Sequence, residues 1–300
     1  ASNKEERLNL STMQSTFRLI FTGVAMVLPG ILISKLGVVN GVLNTEVGIR
    51  KTVILITILS VLGIYACIFF LKEKQLTQNR PKTESLGFMK SISHLKDKEI
   101  ILYFLGYFFF FCGFNILRGD LTYYLSAVMQ KDIKYLTVIS VVLFGMAGLF
   151  FPITNKFGKK YSYKKILIVD MLLLIIGTFG LLFINKNNSI FAYLLFVICG
   201  TGLSGAAFIF PQAMLSEISA KLSETKKISL EGFMFGIQGM FLKLAFLVQQ
   251  VVQSTLLVVG NQNVQNGVKG ATELGVKVTL IVALVLFGIS LFFYNLKKED

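Results

Sequence analysis

Long apolar segments alternate with short polar segments along the whole chain. A bilayer has a hydrocarbon core about 30 Å thick, which a helix crosses with roughly 20 apolar residues. Eight segments reach that length, at approximately 13–36, 50–71, 99–127, 133–154, 165–185, 189–216, 231–259 and 274–295. None of them alternates apolar and polar residues as the strands of a membrane β-barrel do. The pattern therefore predicts an all-α integral membrane bundle of about eight transmembrane helices.

The charge of the chain fits a membrane orientation. The formal net charge is +14 and only 15% of the residues are charged. If residue 1 lies inside the cell, the segments on that side carry more than twice as many lysines and arginines as those outside, which is the positive-inside pattern. We expect a multi-pass protein of the plasma membrane with both ends of the chain cytoplasmic. Because the basic residues are spread over loops, no nucleic-acid surface is expected.

The longest polar segment predicts the division of the chain. Residues 72–98 contain Pro81 and the only histidine, His94, which we interpret as an exposed loop residue. They are predicted to form a cytoplasmic central linker, either as a plain solvated loop or with a short surface helix at 85–98. Two helices (1–71) precede this linker and a six-helix half-bundle (99–300) follows it.

Charged side chains inside apolar segments are the main indicators of function, because holding a charge at bilayer depth is costly unless it faces a cavity or a partner. Lys243 lies in the middle of the seventh segment, with Gln238 five residues before it. A substrate site in an aqueous cavity and a structural ion pair both explain such a lysine. Arg18 and Gln14, one turn apart in the first segment, either bind a polar substrate or lie near the membrane surface.

The third segment ends in its own polar cluster. It contains Asn115, Arg118, Asp120 and Tyr123, in the stretch FNILRGDLTYYL. The cluster is either part of a substrate site, with Asn115 and Tyr123 as ligands, or a helix end where Arg118 and Asp120 satisfy each other or water. Glu217 and Glu231 flank the lysines that follow the sixth segment, and they are interpreted as solvated charges or gate salt bridges.

Enzyme signatures are missing from the sequence. It contains no HExxH, no GxSxG and no GxxxxGK[ST] motif, so metalloprotease, serine-hydrolase and nucleotide-hydrolysing functions have no sequence support. The three cysteines lie in apolar segments without a CxxC pair. We expect no enzyme activity, no cofactor and no resident metal.

Two motifs resemble a transporter family. PITNKFGKK at 152–160 is similar to the cytoplasmic loop motif of the major facilitator superfamily, with Asn155, Lys156, Gly158, Lys159 and Lys160 in the motif positions and lysine in place of arginine. The stretch 211–243 resembles the segment between helices ten and eleven of the glycoside–pentoside–hexuronide cation symporters, the melibiose-permease type. Pro211, Ala213, Met214, Leu215, Glu217, Glu231, Gly232, Gly236 and Lys243 match it, whereas Gln212, Ser216 and Ala220 depart from it.

The resemblance implies a secondary transporter working by alternating access, of which this chain corresponds to helices five to twelve. It implies a small polar solute (a sugar or glycoside) and a coupling cation, H⁺ or Na⁺, whose acidic ligands lie on helices outside this chain. Lys243 would sense or replace that cation, Arg18 would bind sugar, and Lys159 would belong to the gate. We expect a monomer in contact with membrane lipid, or a chain that needs a further four-helix segment.

Two alternatives remain. One is transport of a lysophospholipid or another amphiphile by the same fold. The other is a non-transporting membrane sensor or a split, degenerate remnant.

Overall fold

A computed structural model describes residues 4–39, 41–70, 97–131, 135–226, 231–260 and 270–297, and these residues are almost entirely helical. In chain order the helices are α1 (Lys4–Leu36), α2 (Thr45–Phe70), α3 (Lys98–Tyr123), α4 (Tyr135–Lys160), α5 (Tyr163–Leu181), α6 (Phe191–Leu203), α7 (Phe210–Lys226), α8 (Glu231–Leu256) and α9 (Glu273–Leu296). A first π segment, Tyr124–Val128, extends α3, and a second π segment, Ser204–Ile209, joins α6 to α7. The predicted all-α membrane class is confirmed.

Each of the eight predicted apolar segments coincides with one of these helices, counting α6, the second π segment and α7 as one rod. Six of the rods are long and apolar enough to cross a membrane by length and composition. Among the other two, α5 is short, with 19 residues, and carries Lys164, Lys165 and Asp170. Most of the predicted linker, including His94, lies outside the described residues, so the predicted division of the chain stays a prediction.

Local sequence sets several of the helix ends. Asp97, Ser162 and Thr272 precede α3, α5 and α9, and each side chain accepts a hydrogen bond from a backbone N–H of the first turn. Such N-caps satisfy donors that have no partner inside the helix. Short polar residues between apolar segments therefore fix where three of the helices begin.

Contacts divide the chain into two compact units, 20–83 and the rest (1–19 with 84–300). In the smaller unit, α1 and α2 are joined by a hairpin of two-residue strands, β1 (Val38–Val39) and β2 (Val42–Leu43). Gly41 in its turn has a φ of 81°, a conformation that glycine adopts without strain. No residue in the apolar window of α2 is buried in the structure, so the helix presents an apolar surface all round.

The larger unit contains the hydrophobic core. Here α3 packs against α8 and α9, and α6 packs against α4 and α5. Small residues allow these helices to approach closely, as is common in membranes. A methyl group added at Gly113 of α3 would lie 2.8 Å from the Phe287 ring and 3.0 Å from the Ala283 carbonyl oxygen of α9.

Candidate functional site

The first turns of α1 lie antiparallel along α4, and we call this surface the α1–α4 contact (residues 5–19 with 148–159). Lys159 Nζ donates to Glu5 Oε1 at 2.8 Å, and Asn155 Nδ2 donates to Thr12 Oγ1 at 2.6 Å. Leu8 lies between these pairs and is completely buried. The predicted gate residue Lys159 thus lies in an ion pair at the end of the molecule that is predicted to be cytoplasmic.

Close packing surrounds Leu8. A methyl group added at Gly158 would lie 3.2 Å from Leu8 Cδ2 and 3.1 Å from the Phe210 ring. Because any larger residue at position 158 would displace one of these side chains, glycine at this motif position allows α1 to reach α4 and α7. The contact therefore depends on one buried leucine side chain, that of Leu8, which packs against Gly158.

Deeper in the same contact, α1 reaches the second π segment. Ser15 Oγ donates to the Phe208 carbonyl oxygen at 2.7 Å, and the hydroxyls of Thr154 and Ser204 are 2.8 Å apart. Pro211, just after this segment, has no backbone N–H to donate, and helices commonly change geometry at such a position. Side-chain hydroxyls from α1 and α4 therefore bind an irregular part of the α6–α7 rod.

Gln238, predicted to bind substrate, is part of a buried polar group between three helices. Its Nε2 donates to Tyr103 Oη at 2.6 Å, and Tyr103 Oη donates to the Pro211 carbonyl oxygen at 2.7 Å. Gln238 is 4% exposed. Gln238 Nε2 also donates to the Pro211 carbonyl oxygen at 3.5 Å, so it links α8 to both α3 and α7.

Exposed or half-buried surfaces of the larger unit carry three residues predicted to bind substrate (Arg18, Gln14 and Lys243) and also Arg118, which was predicted to pair with Asp120. Arg18 and Gln14 are exposed on α1. Lys243 is exposed on α8, with its Nζ 5.9 Å from the centre of the Phe246 ring. Arg118 is half-buried, and its guanidinium carbon is 5.5 Å from the centre of the same ring.

Phe246 thus has a cation near it from each of two helices, at distances typical of cation–π contacts. Among the described residues, neither Arg118 nor Lys243 has a carboxylate within ion-pair distance. The surface around Phe246 is therefore both aromatic and positively charged.

Asp120 does not pair with Arg118. Asp120 is 1% exposed, and its Oδ1 accepts a hydrogen bond from Gln253 Nε2 at 2.8 Å. The Oε1 atom of Gln253 in turn accepts a hydrogen bond from Gln249 Nε2 at 2.9 Å. Both glutamines cross Gly119, where an added methyl group would lie 2.6 Å from Gln249 Nε2. We call Asp120, Gln249 and Gln253 the Asp120 cluster.

The remaining predicted residues are separate from these groups. Asn115 is buried, with no hydrogen-bond partner for its Nδ2 among the described residues. Tyr123 is 39% exposed. Glu217 and Glu231 are both half-buried.

Asp170 on α5 was not among the predicted residues. It is buried, and its carboxylate lies against the backbone of Gly205 in the second π segment. The signal for it was available, because it is a charge within the apolar segment ILIVDMLLL. The described residues contain no group of three or more His, Cys, Asp or Glu side chains arranged to hold a metal ion.

Comparison with known proteins identifies the class of protein. Residues 1–298 match the protein-family model described as MFS/sugar transport protein. The chain belongs to this family of the major facilitator superfamily and is a multi-pass membrane protein of a transporter class. No curated protein matches it.

Proposed function

We propose that this chain is part of a secondary active transporter that carries a sugar or glycoside together with a cation, H⁺ or Na⁺, by alternating access. The observation that carries the proposal is the α1–α4 contact in a member of a sugar-transport family. In the family resemblance, α1 belongs to the first half of the transporter and α4 to the second. A contact between halves at one membrane face is what a state closed on that face requires.

The chemistry of the contact suits a gate that opens repeatedly. Its polar part includes the Asn155–Thr12 hydrogen bond and the Lys159–Glu5 ion pair, and the side chains of the ion pair are 35% and 60% exposed. Such exposed pairs contribute only about 0–1 kcal/mol, and water replaces them readily when the surfaces part. Opening would mainly expose Leu8 and release the hydroxyl of Ser15 from the Phe208 carbonyl.

The substrate would bind beyond this contact, at the exposed side chains of Arg18 and Lys243 and the half-buried side chain of Arg118. Their N–H groups donate hydrogen bonds, and the hydroxyl oxygens of a sugar accept them. The apolar face of a sugar ring would pack on Phe246. Lys243 would also respond to the coupling cation, as the family resemblance implies.

The surface around Phe246 also favours a second candidate, an amphiphile with an anionic head group. Phe241 of α8 stacks on Phe104 of α3, with ring centroids 5.4 Å apart, and contacts Phe108. The half-buried rings of Phe108 and Phe241 would pack against an acyl chain, while Arg118 and Lys243, which have no ion-pair partner among the described residues, would bind a phosphate or carboxylate.

Uptake by the full chain reconstituted in lipid vesicles tests these proposals. We expect a labelled sugar or glycoside to accumulate when a Na⁺ or proton gradient is imposed, and Lys243→Ala to lower the initial rate at least tenfold. Leu247→Ala, one turn further along α8 at an exposed position, is the matched control. Equal rates for the two variants would refute the role of Lys243.

A panel of lysophospholipids in the same vesicles tests the amphiphile candidate. If neither panel is transported and neither shifts the thermal unfolding of the protein, the transporter proposal is wrong and a sensor or remnant is favoured. The proposal also places the chain as a monomer in the plasma membrane with both ends cytoplasmic. Labelling of cysteines introduced at each end, from one side of sealed cells, measures that orientation.

A further inference from the structure

We propose that Asp120 is a proton-binding site, enclosed between α3, α8 and α9. Its Oδ2 atom is buried and accepts no hydrogen bond from the described residues. Gln249 Oε1 is also buried and accepts none from them. The two residues are joined through Gln253, which donates to Asp120 Oδ1 and accepts from Gln249. Among the described residues, the Asp120 cluster therefore contains two buried acceptor oxygens that have no hydrogen-bond partner.

A carboxylate buried at membrane depth is unstable unless its charge is compensated. The hydrogen bond from the neutral amide of Gln253 satisfies Oδ1, but it does not neutralise the charge of the carboxylate. A proton added to Oδ2 neutralises the carboxylate, and it turns that unpartnered acceptor into a hydrogen-bond donor.

Charged and titratable groups on the packed elements do not compensate Asp120. On the α3 rod, Arg118 lies over Phe246, and the Tyr124 hydroxyl donates to the Leu181 carbonyl oxygen at 2.8 Å. On α9, Lys277 pairs with Glu273 at 2.7 Å. From Phe246 to Leu256, α8 has no ionisable residue.

A metal cation fits the cluster less well than a proton. Hard metal ions such as Mg²⁺ and Ca²⁺ take about six oxygen ligands, whereas two free acceptor oxygens are present. The Thr279 hydroxyl of α9, which also lies beside Asp120, already donates to the Val276 carbonyl oxygen at 2.8 Å. A proton requires only one free oxygen.

The functional meaning of this site rests on the proposed function, since it would make H⁺ the coupling cation. The cluster lies on the same two helices as Arg118 and Lys243. Protonation of Asp120 weakens its acceptance of the Gln253 bond and so changes the link between α3 and α8. Proton binding would thereby act on the helix pair that carries the proposed substrate residues.

Infrared difference spectroscopy of the purified full chain in lipid bilayers, recorded between two pH values, tests the proposal. We expect a carbonyl band of a buried neutral carboxyl group that is lost in Asp120→Asn. Asp170→Asn, which alters the other buried carboxylate of the described residues, is the control and should keep that band. If Asp120→Asn keeps it, the proposal is wrong.

A second variant covers the case in which Asp120→Asn does not fold. Gln253→Leu retains the carboxyl group and removes the donor to Oδ1, so the frequency of the band should change, and an unchanged band would contradict the assignment. Spectra at constant pH with NaCl or choline chloride form a further arm. If Na⁺ and not pH changes the Asp120 signal, the site binds a metal ion and the proton assignment fails.

These measurements need no transported solute. Loss of the band in Asp120→Asn together with no uptake in vesicles would leave the proton site standing and reject the proposed function. Uptake driven by a gradient, with no effect of Asp120→Asn on the band, would support the proposed function and reject the proton site.

Discussion

The burial of Leu8 should hold the α1–α4 contact closed, and Leu8→Ala should open it. Leu8 is completely buried between Gly158 and the Phe210 ring. Replacing a buried leucine by alanine costs about 2–5 kcal/mol. We take about 2–3 kcal/mol here, because the contact lies near a helix end where neighbouring side chains can relax.

This value exceeds the contribution of either polar pair. The Asn155–Thr12 hydrogen bond is worth about 0.5–1.5 kcal/mol, and the Lys159–Glu5 pair about 0–1 kcal/mol because it is largely exposed. Since about 1.4 kcal/mol is a factor of ten, Leu8→Ala should raise the population of the open contact about 30- to 150-fold.

Alkylation of a single cysteine measures that population. Ser11→Cys places a thiol at a position that is 4% exposed on the same part of α1, in a background where Cys67, Cys112 and Cys199 are replaced by serine. The labelling rate by a water-soluble maleimide should rise by the stated factor in Leu8→Ala. Leu10→Ala, at a position 50% exposed on the same helix, should change the rate less than twofold. Equal rates in the two variants, or a reporter labelled as fast as in denaturant, would refute the reasoning.

Two further predictions concern the core. Gly205→Ala should lower the unfolding temperature, because the added methyl group would overlap the Asp170 carboxylate and the Phe210 ring, and overpacking costs about 1–3 kcal/mol. Gly288→Ala is the control, because an added methyl group there has nothing within 4 Å. Equal unfolding temperatures for the two variants would contradict the packing argument. Tyr103→Phe should cost about 1–3 kcal/mol of unfolding free energy, because it removes the 2.6 Å hydrogen bond of the buried Gln238 donor and leaves that donor only the Pro211 carbonyl oxygen at 3.5 Å. Denaturation in mixed micelles measures that cost, and a stability equal to that of the unchanged chain would show that another group satisfies Gln238.

Most of the helices were predictable because they contain an apolar run long enough to cross a bilayer, whereas the gate role predicted for Lys159 stays a prediction. The contact partners of the side chains were harder to predict from the sequence. Spacing places Gln238 near Lys243 along the chain, but the structure shows Gln238 bound to Tyr103, 135 residues away. Arg118 and Asp120 are two residues apart, which puts them on different faces of a helix, and each finds its partner on α8.

Other features could not be derived from the sequence. The second π segment is contacted by hydroxyls from α1 and α4 that approach it only in the folded protein. Asp170 carried a visible signal, a lone acid in an apolar run, but the nearby lysines at the start of α5 make that run resemble an ordinary helix end. In both cases the decisive information is the neighbour across the core.

The two polar groups on α3 and α8 lie far apart along the same helix pair. Tyr103 and Asp120 are separated by about 26 Å on α3 at 1.5 Å per residue, with Arg118, Lys243 and Phe246 between the two polar groups. Tyr103 and Gln238 bind the Pro211 carbonyl just after the second π segment, which Ser15 of α1 also contacts. Coupling between distant sites requires an element with two arrangements that both sites bias. The α3–α8 pair fits that requirement. Its Tyr103–Gln238 link adjoins the α1–α4 contact, and its second link is the Asp120 cluster with the two unpartnered oxygens.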